Sequence, residues 1–280
     1  MRNVSESMAG RAAVLQLWPM SASETPKVNP LRGGYPEVLA RPAAASLWYS
    51  SYLQTYLERD VRAISAVHDL SAFRRFMALM AARHGQVLNK SALAAPVGMS
   101  VPGISRWLDI LEATAQILIV PPFFENLGKR LIKSPKVYVA DSGLACHLLG
   151  IQTEQELRKS PFLGTVFEGF VATEIVKAQL HAGRRREIYF FRDEQGLEVD
   201  FLVPHKGGVR LIEAKASATV TPAMAAPMQR LAAAWTAQQR RGRVGMLLVH
   251  QPRRGHESSA VVSPGVAAVP WPRLATILEA

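Results

Sequence analysis

Apolar residues recur along this chain at two different periods, and the change from one to the other divides it. From Leu47 to Val67 they fall at helical spacing, at Tyr49, Leu53, Tyr56, Leu57 and Ile64, which predicts one or two helices. Three more helices follow, Ser71 to His84, Lys90 to Ala95 and Pro102 to Ala113, with Ser71, Asn89 and Ser100 as N-caps and Gly85 as a stop. In the third, Ile104, Trp107, Leu108 and Leu111 share one face, so Trp107 belongs to a core. Two strand-sized runs, Ala115 to Val120 and Lys136 to Ala140, close around the polar tip FFENLGKRLIKS, and a short helix precedes Gly150. Three helices and then a hairpin is the order of a winged helix.

From Pro161 the order becomes α/β. A helix from Thr165 to His181 precedes three strands, Ile188 to Arg192, Leu197 to Val203 and Val209 to Ala214. A helix from Ala223 to Gln238 and a buried strand from Val244 to Val249 complete the pattern. The predicted divisions are a leftover strand and Pro/Gly-rich connector at 1–45, a helical and winged-helix domain at 46–150, an α/β domain at 151–255 and an irregular tail at 256–280. The fold class is α/β, or α+β overall.

Candidate chemistry gathers around the turn PHKGG. Folding its two strands symmetrically about Lys206 and Gly207 sets Asp200 opposite Glu213, and opposed side chains in such a pair lie only ~4.5–5.5 Å apart at Cβ. Two carboxylates that close repel unless something positive sits between them. Alternation adds Lys215 to their face and turns Val199, Phe201, Val203 and Ile212 the other way, toward a core. Asp200 and Glu213 suit a hard divalent cation such as Mg²⁺, and a neighbouring lysine suits metal-assisted phosphodiester hydrolysis. Glu168 supplies a third acid on the helix face of Val171, Ala172 and Ile175, with Glu174 as its alternative. The same register sets Glu198 against Lys215, so a ladder of solvated charges stays open as a reading of the same residues.

Charge points to the partner. Lys and Arg total 33 against 22 acids, a net charge of +11, which favours a polyanion such as DNA or RNA. Between Ser71 and Ala140 nine bases face three acids, an excess of six. In a helix-turn-helix, Ser100, Ser105 and Arg106 would lead into the major groove, while Lys129, Arg130 and Lys133 would take phosphates at the wing tip. A protein-docking or spacer role for the same module stays open. Arg184 to Arg186 and the six arginines from Arg230 to Arg254 line either a nucleic-acid path or a solvated face. The single Cys146 excludes an internal disulfide and suits a reducing cytoplasm. No apolar run approaches the ~20 residues of a membrane span, and Glu6 and Arg11 interrupt what would be a signal peptide.

The stretches SESMAGRAAVLQLWPMS, GGYPEVL, YLQTYLERDVRAI, LDILEATAQILIVPPFFENLGKRLIKSPKVYVADSGLACHLLG, FEGFVATEI, YFFRDEQGLEVDFLV and IEAKAS resemble the C-terminal part of prokaryotic AAA-type ATPases. Those proteins end in a domain of unknown function with a winged helix and a PD-(D/E)XK restriction-endonuclease-like fold. The resemblance implies Glu168, Asp200, Glu213 and Lys215 as catalytic residues, with Asp200 and Glu213 on Mg²⁺. Family members begin with a P-loop ATPase; here the chain starts at what resembles that domain's last strand. The one Gly-Lys pair, Gly128–Lys129, lacks the rest of a G-x-x-x-x-G-K-[ST] loop, so no ATP site is expected. Two expectations result: a DNA-binding, nuclease-like fragment, or a catalytically silent nucleic-acid-binding or regulatory module that acts with a separately encoded P-loop ATPase.

Overall fold

The computed structural model describes residues 15–56, 70–123, 132–237, 242–252 and 259–279. Its first half is helical around a small sheet. Helices α1 (Pro36–Ala40) and α2 (Ala45–Thr55) lead to α3 (Leu70–Ala82), strand β1 (Gln86–Val87), α4 (Lys90–Val97) and α5 (Val101–Ala113). Strands β2 (Ile117–Val120) and β3 (Lys136–Val139) follow, then α6 (Ser142–Leu148) and α7 (Glu154–Lys159). Asn89 caps α4 by accepting the amide of Ala92, and Ser100 caps α5 by accepting that of Gly103, both as the sequence predicts. Ser71 is not a cap, because α3 already includes Leu70. Gly85, at φ +78°, takes the left-handed turn that lets the chain leave α3 and enter β1.

Helices α3, α4 and α5 bury one face each in a common core. Phe73, Phe76 and Met77 from α3 meet Leu93 from α4 and Ile104, Trp107 and Leu108 from α5. Trp107 lies edge-on to Phe73 with ring centroids 4.9 Å apart, a pairing that adds ~0.5–1.5 kcal/mol beyond area burial. Beneath them runs a three-stranded antiparallel sheet in the order β1–β3–β2. The two-residue β1 carries too short a run to signal itself in the sequence.

The second half is a six-stranded sheet between helices. Helix α8 (Leu163–His181) precedes β4 (Tyr189–Arg192), β5 (Glu198–His205) and β6 (Gly208–Lys215). Helix α9 (Ala226–Ala237), β7 (Val244–His250), β8 (Ala260–Ser263), β9 (Val266–Pro270) and α10 (Leu274–Glu279) follow. The order is β4–β5–β6–β7–β9–β8, with β6, β7 and β9 parallel and the edge pairs antiparallel. Helices α8 and α10 cover one face through Phe170, Ile175 and Leu274, and α9 covers the other through Met228, Leu231 and Trp235. The predicted irregular tail is thus corrected: it supplies two strands and a helix. Its Pro264–Gly265 pair makes the turn between β8 and β9, with Gly265 at φ +75°, rather than breaking up the segment.

The core runs past residue 150 without a seam. Strand β3 is a wall shared by two cores: Val137 and Val139 face the first-half helices, while Tyr138 packs among Phe167, Val171 and Phe201. Leu118 and Val120 of β2 join that second core as well. Beyond β2 the chain pairs with the edge strand β4, where the Phe190 amide donates to the Pro121 carbonyl and the Phe123 amide donates to the Phe190 carbonyl. The connector is pinned too. Glu174 accepts the amide of Ala22 at 2.8 Å and the Lys177 ammonium at 2.9 Å, and Lys177 also reaches the Met20 carbonyl. Asp141 accepts the amides of Gly34 and Leu144 and the Tyr49 hydroxyl, tying that connector to α2 and α6. Residues 15–20 form no strand, so the predicted leftover strand is absent from the described part of Ala12 to Met20.

Candidate active site

Strands β5 and β6 turn at Lys206 and Gly207, both with positive φ, +46° and +73°. That is the geometry of a two-residue hairpin whose twist matches its strands. Pairing therefore runs from His205 with Gly208 to Phe201 with Ile212, the register read from the sequence. The paired register ends there, and Asp200 and Glu213 lie one step beyond it, brought together through Lys215. One detail departs from simple alternation. Against β4, Tyr189 pairs with Leu202 but Phe191 with Val199, so β5 carries one extra residue at Asp200–Phe201. This bulge reverses the facing of what precedes it: Val199 packs with Leu202 on the α9 side, not with Phe201 and Val203 on the α8 side. Asp200 sits at the bulge.

All four predicted catalytic residues converge there. Lys215 Nζ lies 2.6 Å from Glu213 Oε2 and 3.8 Å from Asp200 Oδ2, the positive charge that two opposed carboxylates require. Asp200 Oδ2 also accepts the Ala214 amide at 2.9 Å. Glu168 on α8 closes the group from the other side. Its Oε1 accepts from the Tyr138 hydroxyl at 2.6 Å and from Lys136 Nζ at 2.8 Å. The solvated-ladder reading does not hold: Asp200 is 8 % and Glu213 2 % exposed, and Glu198 binds Lys136 at 2.6 Å and Arg192 at 3.5 Å instead of Lys215. Glu174, the alternative third acid, is spent on the connector.

Burial governs the electrostatics. It lifts the Glu168 carboxyl to about 7, with the Asp200 carboxylate raising it further and Lys136 and Tyr138 drawing it back. It lifts Glu213 to about 8, Asp200 again adding to the rise and Lys215 opposing it. Burial pulls the two lysines down, but the surrounding carboxylates more than reverse that, so both Lys136 and Lys215 stay firmly charged. Burial and the neighbouring Asp200 charge thus raise both carboxyls, those of Glu168 and Glu213, into the neutral range.

The fit to a divalent cation can be tested on one atom. Glu213 Oε1 is buried and has no hydrogen-bond partner, which is costly once the carboxyl gives up its proton. A hard cation would satisfy it. Among the described residues no group of three or more His, Cys, Asp or Glu side chains is arranged to hold a metal. The ion would therefore take Asp200 and Glu213, with water and phosphate oxygens completing its shell, as Mg²⁺ commonly does.

The sequence does not announce Lys136, Tyr138 and Arg192 as members of the group, and it sets Glu198 against Lys215 where the structure sets it against Lys136 and Arg192. Lys136 was counted with the phosphate-facing bases of the first half, yet its side chain is 3 % exposed. The stretch KVYVADSG, which carries both Lys136 and Tyr138, was the available signal.

None of the described nucleic-acid candidates, Ser100, Ser105, Arg106 and Lys133, is bonded to the four acids in the hydrogen bonds and ion pairs of the site. Arg106 and Lys133 are exposed. Ser100 uses its hydroxyl as the α5 cap, and the hydroxyl of Ser105 accepts from Lys90 at 3.0 Å. Lys129 and Arg130 lie outside the described residues. Arg186 bonds Glu112 of α5 at 2.8 Å, so it bridges the two halves. No described helix is long and apolar enough to cross a membrane.

Comparison with known proteins gives domains rather than an activity. No solved structure matches the chain significantly. The uncharacterized protein Rv2008c of Mycobacterium tuberculosis and the uncharacterized protein Mb2031c of Mycobacterium bovis are each 31 % identical over 221 residues. Those residues are 77 % of this chain and 49 % of either relative, so the chain spans about half the length of the curated relatives it matches. Residues 30–155 match a domain of unknown function, DUF8612, and residues 163–273 match another, DUF4143, which is typically associated with AAA-type ATPases.

Proposed function

We propose that this chain is a DNA-binding, nuclease-like module whose acid site performs Mg²⁺-dependent phosphodiester hydrolysis. The observation that carries the reading is the convergence of Asp200, Glu213 and Lys215 at a bulged hairpin, with one buried carboxylate oxygen left unbonded. Helix, strands and acids in this order support a PD-(D/E)XK-like fold, and α3, β1, α4, α5 and the β2–β3 pair support a winged helix before it. Both halves would then work on one polyanion: the first holds its phosphates, the second cuts one.

Asp200 and Glu213 would hold the cation, which when bound supplies Lewis acidity and a more acidic water. The protein's own groups do the rest. Lys215, one-third exposed and fixed by two carboxylates, orients a water through its ammonium and offsets charge that develops on the phosphate. Glu168, raised to about 7, holds or releases a proton beside Asp200 at neutral pH. The basic surface that includes Arg106 and Lys133 supplies phosphate contacts and makes binding salt-dependent. An AAA-type ATPase is the proposed working partner, in line with the association of the second domain.

The test is incubation of the purified protein with linear, nicked, single-stranded and branched DNA, with and without Mg²⁺ or Mn²⁺. Metal-dependent cleavage that disappears in Asp200→Ala and Lys215→Ala supports the reading. Salt-sensitive binding without cleavage by folded protein replaces it with a silent binding module.

A further inference from the structure

We propose that the ammonium of Lys136 is a built-in cation of the acid site: it occupies the place between Glu168 and Glu198 where a second divalent ion would otherwise sit, and it confines the exchangeable ion to Asp200 and Glu213. This rests on the reading of the site given above, and it makes the site a joint product of the two halves, because Lys136 is carried by β3.

The geometry is that of a coordinated ion more than of a surface pair. Lys136 Nζ lies 2.8 Å from Glu168 Oε1 on α8 and 2.6 Å from Glu198 Oε1 on β5, and 5.5 Å from the centroid of the Phe190 ring on β4. Asp200 adds a third negative charge to its surroundings. Tyr138, two residues along the same strand, donates to the same Glu168 oxygen, so one face of β3 presents two donors to that carboxylate. Arg192 faces Glu198 from β4, and Lys215 with Glu213 face Asp200 from β6. A lysine desolvated to this degree is an expensive way to join two modules, since well-packed apolar residues serve as well or better. Four carboxylates at one spot, by contrast, need fixed positive charge. With Lys136 in place Glu168 and Glu198 are neutralised by the protein, and the unbonded oxygen remains on Glu213, at the other end of the cluster.

Removing the ammonium while keeping an unbranched side chain of similar length strips the compensation from two carboxylates and opens them to a metal. The experiment is Mn²⁺ titration of the full chain without DNA, with bound ion counted by electron paramagnetic resonance, for wild type, Lys136→Arg, Lys136→Met and Lys136→Gln. Wild type and Lys136→Arg are expected to bind one Mn²⁺. Folded Lys136→Met is expected to bind a second ion, or the first about tenfold or more tightly, because a positive charge has left the cluster. If Lys136→Met fails to fold, Lys136→Gln, which also removes the positive charge but keeps a polar donor for the two carboxylates, carries the test with the same expectation. Stoichiometry and affinity equal to wild type in a folded variant overturn the proposal. Absence of DNA cleavage by the wild-type protein, measured separately, overturns the nuclease reading while the Mn²⁺ comparison still decides the role of Lys136.

Discussion

The two charged regions of this molecule are built on opposite plans. On the first half, the described positions expected to meet nucleic acid are exposed, at Ser100, Arg106 and Lys133, or half-buried, at Ser105, and the two serines already bond within the protein. On the second, four carboxylates and three cations from α8, β3, β4, β5 and β6 are drawn together and largely buried. Under the proposed function, the contrast matches what each task would demand. Phosphate contacts need only net charge near a polyanion, and position is forgiving. Hydrolysis needs groups held to fractions of an ångström, which only packing and mutual hydrogen bonds provide.

The sharpest way to break this comparison is to delete one charge on each side. Asp200→Ala is expected to lower metal-dependent cleavage on the order of a hundred- to a thousandfold in single-turnover assays, with thermal unfolding showing a folded protein. A cleavage rate within severalfold of wild type would remove Asp200 from the chemistry. The two halves should also respond oppositely to pH. His84, buried behind β3 with its ring accepting the Val139 amide, is lowered to about 4 by burial. The unfolded chain takes up that proton near 6.5 and the folded chain does not, so the stability His84 contributes is complete above about 6.5 and is lost toward pH 4, by at most about 3 kcal/mol. For Glu168 and Glu213 the sign reverses. Their folded carboxyls keep a proton that the unfolded chain sheds near 4.5, so stability falls as pH rises from there toward about 7 and 8. Urea unfolding across pH 4 to 9 should show His84→Asn flattening the acid limb and Glu213→Gln flattening the alkaline one; swapped effects would refute the assignment.

Smaller effects sharpen the other side. Asn89→Ala removes the cap of α4 and should cost about 1 kcal/mol, read by chemical denaturation. Arg106→Ala should leave stability within about 0.5 kcal/mol of wild type, as exposed positions usually do. Its effect belongs in DNA affinity, where the slope of log affinity against log salt should shrink by about one. An unchanged slope would take α5 away from the phosphates.

Legibility in the sequence followed the range of the interactions. The hairpin register from His205–Gly208 to Phe201–Ile212 could be read because a two-residue turn fixes the pairing outward from Lys206 and Gly207, and Asp200 and Glu213 lie at its open end. Trp107 declared itself by helical spacing. Val199 did not, because an extra residue in β5 reverses its face and nothing local announces a bulge. Lys136 was hidden by arithmetic: counted among basic residues of the first half, it belongs to acids that lie 32 and 62 positions further along the chain. The last strands were hidden by Pro264 and Gly265, which make a tight turn in a segment that composition alone describes as irregular.

A strand with one face in each of two cores leaves the chain no plane along which to come apart. If the halves were independent, heating would release them in separate steps and amide protons would exchange in two tiers. With Val137 and Val139 facing one way and Tyr138 the other, β3 ties them into one cooperative unit. Calorimetry should record a single transition, and the amides of β3 should be among the last to exchange.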